Sequence, residues 1–376
     1  MTSTTGFDVA VVGGGVMGCT IALHLARGGM RVAVLERHGL CTQASGINAG
    51  TLSMQHPPHP ALVPYALGGR DLWRTSGDWL GAEIGFRERG GLVLAFTDEE
   101  AEALETRMAE RKAAGSPIEV VSAGRAREIE PGLSKHPILA SYCALDGFAN
   151  SSLIGSAFRT ALNGASAEVH ERSPVTAIEK TGDGFAIHAA GSVGSVIQAR
   201  RVVLATGVWS AQPLKWLGLA GPIGFVSNQM AVSERMGRVV SRMLGVVAGN
   251  LSLKQVDNGT VLIGGGWQGL GHPEKEGTAI LRHNLIGNLR MARHAVPALG
   301  DVRIVRTWLG YRDDTPDRLP LVGPLPGVEG AFLIVGVRDG FTVGPFMGKV
   351  LADFMLGREP EQPLFDPARL VVAVPS

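Results

Sequence analysis

The stretch VVGGGVMG, residues 11–18, decides the reading of this chain. It follows the short β-branched run DVAVV (8–12) and precedes CTIALHLARGG (19–29), whose apolar residues fall at helical spacing and whose end is marked by Gly28 and Gly29. RVAVLE (31–36) then reads as a second strand ending on Glu36. Gly13, Gly15 and Gly18 complete G-x-G-x-x-G. The first permits a tight turn, the second lets the backbone approach a pyrophosphate, and the third lets helix and strand pack closely. The helix start offers free N–H groups and partial positive charge to phosphates. Glu36 is placed to accept hydrogen bonds from ribose hydroxyls and to repel an extra phosphate. A βαβ dinucleotide fold follows, but this unit alone does not separate a nicotinamide from a flavin.

The bulk composition narrows the class. A chain of 376 residues, 45% apolar and 18% charged, is long enough for two joined domains with a large core. A formal net charge of +1 gives no electrostatic reason to expect nucleic acid or an anionic membrane as a partner. Cys19, Cys41 and Cys143 show neither disulfide nor zinc spacing, which fits a reducing cytoplasm. No apolar run reaches membrane length, and MTSTTGFD lacks the basic start and apolar stretch of a secretory leader.

Past Glu36 the small residues Ala44, Ser45, Gly46, Ala49 and Gly50 imply backbone closely approaching something. TDEEAEALETRMAERKAAG (97–115) is a helix, with Thr97 and Glu100 as a capping box and Gly115 as its stop. GFRERGGLVLAF, PIEVVS and PILASYCALDGFAN read as antiparallel strands around it. SSLIGSAFRTALNGA is a second helix, and AEVHE and VTAIEK are strands. The hairpin GFAIHAAGSVGSVIQARRVVLAT leads into a buried strand that ends at Ala205–Gly207. FVSNQMAVSE, NLSLKQ, GTVLIGGGW and DVRIVRTWLGYR are strand-like. A helix is expected from about Thr278 to Ala298, with His283 and His294 on its polar side. The fold class is therefore α/β with two domains. A discontinuous Rossmann-like domain takes 1–85, 148–218 and 307–376; an antiparallel-sheet substrate domain takes 86–147 and 219–306.

On these motifs the chain resembles the FAD-dependent D-amino-acid oxidase superfamily nearly end to end. That group includes glycine oxidase, sarcosine oxidase and the flavin subunits of opine and hydroxyproline dehydrogenases. GGGVMGCTIALHLARGGMRVAVLER is similar to its extended FAD signature, QASGINAG to its second cofactor segment, and RRVVLATGVWS to its second dinucleotide strand. RTWLGYRDDTPDRLPLVGP and VGVRDGFTVGPFMGKVLADFMLG resemble its paired C-terminal motifs.

The resemblance implies FAD contacts at Gly13, Gly15, Gly18, Glu36, Arg37, Ser45, Gly46, Asn48, Ala49, Gly50, Val175, Ala205 and Gly207. At the flavin end it implies Arg338, Gly340, Phe341 and Thr342. The flavin-linking cysteine of some members falls at Trp308 here, so non-covalent FAD is expected; an extra FMN at a subunit interface, as in some relatives, stays open.

Three residues carry the implied chemistry. Arg312 matches the arginine that pairs with the substrate carboxylate, and a planar guanidinium suits that task. Arg338 faces flavin or substrate. His56, in HPPH, stands where relatives place polar active-site residues; the prolines make that stretch an extended loop rather than a metal site. The implied reaction is hydride transfer from Cα–H to flavin N5, with no general base strictly required and no metal. The substrate class is a D-amino acid, glycine or sarcosine, hydroxyproline or an opine.

Two departures from the family pattern matter. Asp313 and Asp314 follow the anchoring arginine, either drawing it away or tuning the pocket to a cationic substrate. VLIGGGW lacks the lysine that helps dioxygen react in sarcosine oxidases, which favours a dehydrogenase with a partner subunit or electron acceptor. The other readings are an NAD(P)H-reduced flavoprotein and a non-catalytic FAD or electron-transfer subunit. The first lacks a second G-x-G-x-x-G and any C-x-x-C.

Overall fold

The computed structural model describes residues 6–374 except 193 and 195. The first five residues of MTSTTGFD and two loop positions of the hairpin expected near residue 190 lie outside the described residues.

Two eight-stranded sheets organise the chain. The first is built on Phe7–Val12, whose residues are buried from Val9 onward because helices cover the parallel sheet. It pairs in parallel with Val32–Leu35 on one side and with Val196–Leu204 on the other. Glu168–His170 extends the first side and Ala331–Val335 the second, again in parallel. The chain thus leaves Phe7–Val12 in both directions, and the carboxyl end of that strand is a topological switch point, where ligands of such sheets bind. The antiparallel strands Val175–Thr181 and Gly184–Ala189 complete one flank.

The second sheet merges the two intervals expected to form a separate domain. Its order is Ile304–Asp314, Gly224–Ser233, Val261–Gly264, Ser252–Gln255, Met243–Val246, Gly91–Ala95, Leu139–Cys143 and Ile118–Ser122. Its neighbours are antiparallel except at one seam. There Met243–Val246 runs parallel to Gly91–Ala95 and joins the two intervals. Ile304–Asp314 crosses the expected boundary at 306/307 unbroken, bonded along Gly224–Ser233 from Ile304 to Asp314. Thr51–Leu52, Gly147–Phe148 and Arg87–Glu88 form a three-stranded patch at the junction.

Two helix expectations need correction. The helix expected over 278–298 is Arg282–Ala295. Lys275–Ala279 pairs instead with Leu270–His272 as a hairpin, Gln229 Oε1 takes the Leu281 N–H at 2.5 Å, and Pro297 follows the last turn. The helix Val63–Arg74 had no sequence signal, since Gly68 and Gly69 weaken its middle by roughly 1 kcal/mol each. Those glycines serve packing: a Cβ on Gly69 would lie 1.9 Å from the Thr342 carbonyl oxygen, and one on Gly68 would enter the Phe346 ring. The last helix, Gly340–Met355, lies across both Val63–Arg74 and the first helix, Val16–Arg27, with Gly348 set against Thr20 and Met17. Among the described residues no helix is long and apolar enough to cross a membrane.

Gly18 tests this packing. A Cβ there would sit 2.0 Å from the Gly13 carbonyl oxygen, a backbone atom that cannot give way. Gly18→Ala is expected to cost about 3 kcal/mol, at the upper end of overpacking. The control Gly164→Ala meets nothing within 4 Å and should be neutral or slightly stabilising. Thermal denaturation of both variants checks this, and equal melting temperatures would contradict the packing assignment.

Candidate functional site

At the switch point a cavity of about 760 Å³ runs between the two sheets, in the upper part of the roughly 300–1,000 Å³ range of ligand sites. One end begins at the glycine turn. Gly13 has φ +108°, and a Cβ there would be 2.3 Å from the Ala205 carbonyl oxygen. Gly15 caps the first helix in extended conformation, and Val16 N–H donates to Ser45 Oγ at 2.9 Å. Glu36 is already engaged: Oε2 accepts from Gly14 N–H (2.7 Å) and Oε1 from His38 N–H (2.8 Å). It therefore shapes the turn while also lining the cavity. The Arg37 guanidinium lies 4.2 Å over the Trp209 ring. Trp209 Nε1 donates to Pro273 O at 2.9 Å, which ties the hairpin Leu270–His272/Lys275–Ala279 to this end of the cavity.

Most sequence-predicted residues line this one space. Gly13, Gly15, Glu36, Arg37, Ser45, Asn48, Ala49, Val175, Ala205 and Gly207 do so, as do Arg338, Gly340, Phe341, Thr342, Arg312 and His56. Gly18, Gly46 and Gly50 are off the lining. What approaches them is the chain itself: a Cβ would lie 2.0 Å from Cys41 O at Gly46 and 1.9 Å from Ala149 O at Gly50. The close approach expected from their smallness is thus made by backbone of the chain itself.

The far end of the cavity is a polar chamber. Arg312, on the long strand Ile304–Asp314, makes no hydrogen bond or ion pair among the described residues, and its Nε is buried without a partner. Burial, then the charge of Arg338, lowers its proton affinity. Neither flanking carboxylate neutralises it. Asp313 accepts the Gly336 N–H at 2.8 Å, and Asp314 lies 3.6 Å from Arg338. The expectation that these acids draw Arg312 away is thus not met.

His56 projects its ring into the cavity, with its Nε2 side against Gly245. Its side chain is exposed to the cavity, and desolvation by the surrounding walls, then the charges of Arg111, Arg107, Lys254 and Arg338, lower its pKa to about 4, which makes it a weak base. The segment before it is pinned by the buried Asp146 carboxylate, which accepts from Ser53 Oγ (2.9 Å), Met54 N–H (2.7 Å) and Gln55 Nε2 (2.7 Å). Trp308 Nε1 donates to Ile47 O at 2.8 Å and braces the wall.

Two residues escaped the sequence reading. Asp339 precedes the last helix and lines the chamber with an unpartnered, buried Oδ2. Its place in VRDGF was visible, but an aspartate before a glycine reads as an ordinary turn. Lys254 is the other. Val261–Gly264 lacks a lysine, yet the neighbouring strand supplies one, registered opposite Leu262. Lys254 is 2% exposed, and its Nζ donates to Thr51 Oγ1 at 2.6 Å just behind the cavity wall. Burial alone lowers its pKa to about 7.

The chain is similar to known proteins over most of its length. The family model described as DAO, FAD dependent oxidoreductase, matches residues 8–354. The glycine oxidase of Pseudomonas aeruginosa is 32% identical over 372 residues, 96% of this chain and 97% of that protein. One subunit of the opine oxidase of Rhizobium meliloti is 30% identical over 350 residues, 89% and 90% of the two chains. The crystal structure of glycine oxidase from Geobacillus kaustophilus superposes with a TM-score of 0.85 at 28% identity, over 95% of this chain and 96% of that one.

Lys254 sets a pH dependence of stability. Between about 7 and its ordinary value of 10.5 the unfolded chain holds a proton that the folded chain lacks. Stability contributed by this group therefore rises with pH across that window, by up to about 1.4 kcal/mol per unit. The unfolding free energy of the wild type minus that of Lys254→Met should climb from about pH 7.5 to about pH 9.5 in denaturant titrations. A flat difference would show that the amine keeps its ordinary proton affinity.

Proposed function

Because the chain belongs to the DAO family of FAD dependent oxidoreductases, we propose that it oxidises the C–N bond of a small amino acid, imino acid or N-substituted amino acid. The observation that carries this reading is Arg312. A guanidinium held in a cavity wall with no direct ion pair or hydrogen bond among the described residues is costly unless an anion completes it, and a substrate carboxylate has the matching planar fork.

The lining fits FAD by its shape and its donors. The Gly13–Gly15 turn, where a Cβ would strike Ala205 or crowd Ser45, leaves room for a pyrophosphate at the start of the first helix. Glu36 and Arg37 would hold the adenosine end, and Val175 and Ala205 the wall between. The N-terminus of Gly340–Met355 would meet the flavin with the backbone N–H groups of Gly340 and Phe341. When bound, FAD supplies the two-electron acceptor. Binding is non-covalent in this reading. Trp308 stands where some relatives carry a linking cysteine, and Cys41, the cysteine on the lining, turns its thiol to the Gly14 carbonyl at 3.6 Å.

The protein's own part is orientation and exclusion of water. Arg312 fixes the carboxylate, Arg338 with Asp314 closes one side of the chamber, and neutral His56 adds a polar surface without charge. The similarity to glycine oxidase and to one subunit of an opine oxidase supports glycine-like and opine-like substrates as the class to test, and a second, different subunit as a component of the working enzyme.

The decisive experiment is anaerobic bleaching of the yellow holoprotein with glycine, sarcosine, D-proline, D-hydroxyproline, common D-amino acids and opines. At least one should reduce the flavin, and readmitting air then separates oxidase from dehydrogenase. Arg312→Ala should keep its FAD yet need roughly 100-fold more of that compound for half-reduction, in line with loss of a charge-assisted pair of about 3 kcal/mol. An unchanged titration would remove Arg312 from the carboxylate site.

A further inference from the structure

Asp339 occupies the N-cap position of Gly340–Met355, yet its side chain makes no capping bond. Its backbone carbonyl accepts from Thr342 N–H (2.8 Å) and Val343 N–H (3.1 Å), while the carboxylate, which in an N-cap aspartate normally folds back onto such donors, stays free. Among the described residues neither of its oxygens has a hydrogen-bond partner, and Oδ2 is shielded from water. Asp339 and Arg312 line the same chamber, and each lacks a partner although their charges are opposite and act on one another. The other cations near Asp339 are engaged: Arg338 with Asp314 at 3.6 Å, and Arg111 with the carbonyls of Arg107 and Pro57.

We propose that Asp339 receives the substrate's nitrogen, binding its ammonium form while Arg312 holds the carboxylate, and then takes one N–H proton. This rests on the amine-oxidising reading above. An ammonium nitrogen has no lone pair to push out a hydride, so an amino acid entering as a zwitterion must first lose a proton. In that step the N–H bond breaks, its electron pair stays on nitrogen, and an O–H bond forms on Asp339. A neutral amine and a carboxylic acid result, with no change in oxidation state. The surroundings suit the task. Burial without donors, together with Asp314, raises the proton affinity of the carboxylate, while Arg312, Arg338 and Arg111 restrain it; His56 is uncharged. Asp339 is then a better base than a solvated carboxylate, closer to the substrate amine it must deprotonate.

Two measurements on the holoenzyme test this. The first needs no turnover. Trimethylglycine and 3,3-dimethylbutyrate have nearly the same shape, share a carboxylate and differ in one positive charge. Titrated against the flavin spectrum, the wild type should bind trimethylglycine at least about tenfold tighter, and Asp339→Asn should lose that preference while keeping its FAD. Equal affinities in the wild type, or binding of neither, would overturn the assignment.

The second is stopped-flow flavin reduction by whichever panel compound bleaches the wild type. Asp339→Asn should be slower by about 10²–10⁴-fold near pH 7, the usual span of a general base. It should recover as the pH passes the amine's own pKa. A variant with the wild-type rate and pH profile would reject Asp339 and leave the amine-oxidising reading standing. A wild type that no amine bleaches would reject that reading, and the binding comparison would still decide whether Asp339 meets a cation.

Discussion

The contact on which this molecule turns is between two stretches of backbone, the carbonyl of Gly13 and the Cα of Gly18, with no room for a side chain between them. It seats the start of the first helix at the carboxyl end of the central strand. The last helix crosses that first helix through Gly344 and Gly348, against Met17 and Thr20. Both helix starts, at Val16 and Gly340, consequently open onto one cavity, which receives the partial positive charges of two helix N-termini. An electron-rich dinucleotide is what such a cavity is shaped to accept.

Charge in the chamber is managed by exhausting most of it internally. Asp313 spends its carboxylate on the Gly336 N–H, Asp314 lies beside Arg338, and Asp146 serves the segment that presents His56. What is left over is one guanidinium and one carboxylate, neither satisfied by the protein among the described residues. Unsatisfied buried polar groups are rare because each costs free energy. Two of opposite sign in one cavity are what the proposed substrate, carrying both charges, would satisfy.

The dinucleotide end was legible because its demands are local. Gly13, Gly15, Glu36 and Arg37 act within one βαβ unit, and spacing along the chain reports spacing in space. Arg312 and Arg338 were reached through motif resemblance, and the structure brings them together from a strand and a helix start. Gly46 and Gly50 were read as a close approach of backbone, and the chain itself makes that approach at Cys41 and Ala149; smallness tells that something is close, not what it is. The helix Val63–Arg74 was hidden because its glycines answer to a partner helix at the other end of the chain, at Thr342 and Phe346. Lys254 and Asp339 were passed over for a similar reason. A lysine in a strand and an aspartate before a glycine are ordinary until their partners, or lack of them, are seen.

The strand Ile304–Asp314 has a mechanical consequence. It belongs to the second sheet along its whole length, yet it carries Arg312 near its end, and the next residue is bonded to the backbone just before the last helix. That bond therefore pins the second sheet, at the residue next to Arg312, to the first sheet, at the residue after Ala331–Val335, like a rivet through two plates. Bending between the sheets would have to break that bond before the spacing between Arg312 and the last helix could change. Any widening of the cavity would then fall to the loops and to the hairpin tied at Pro273, away from that rivet.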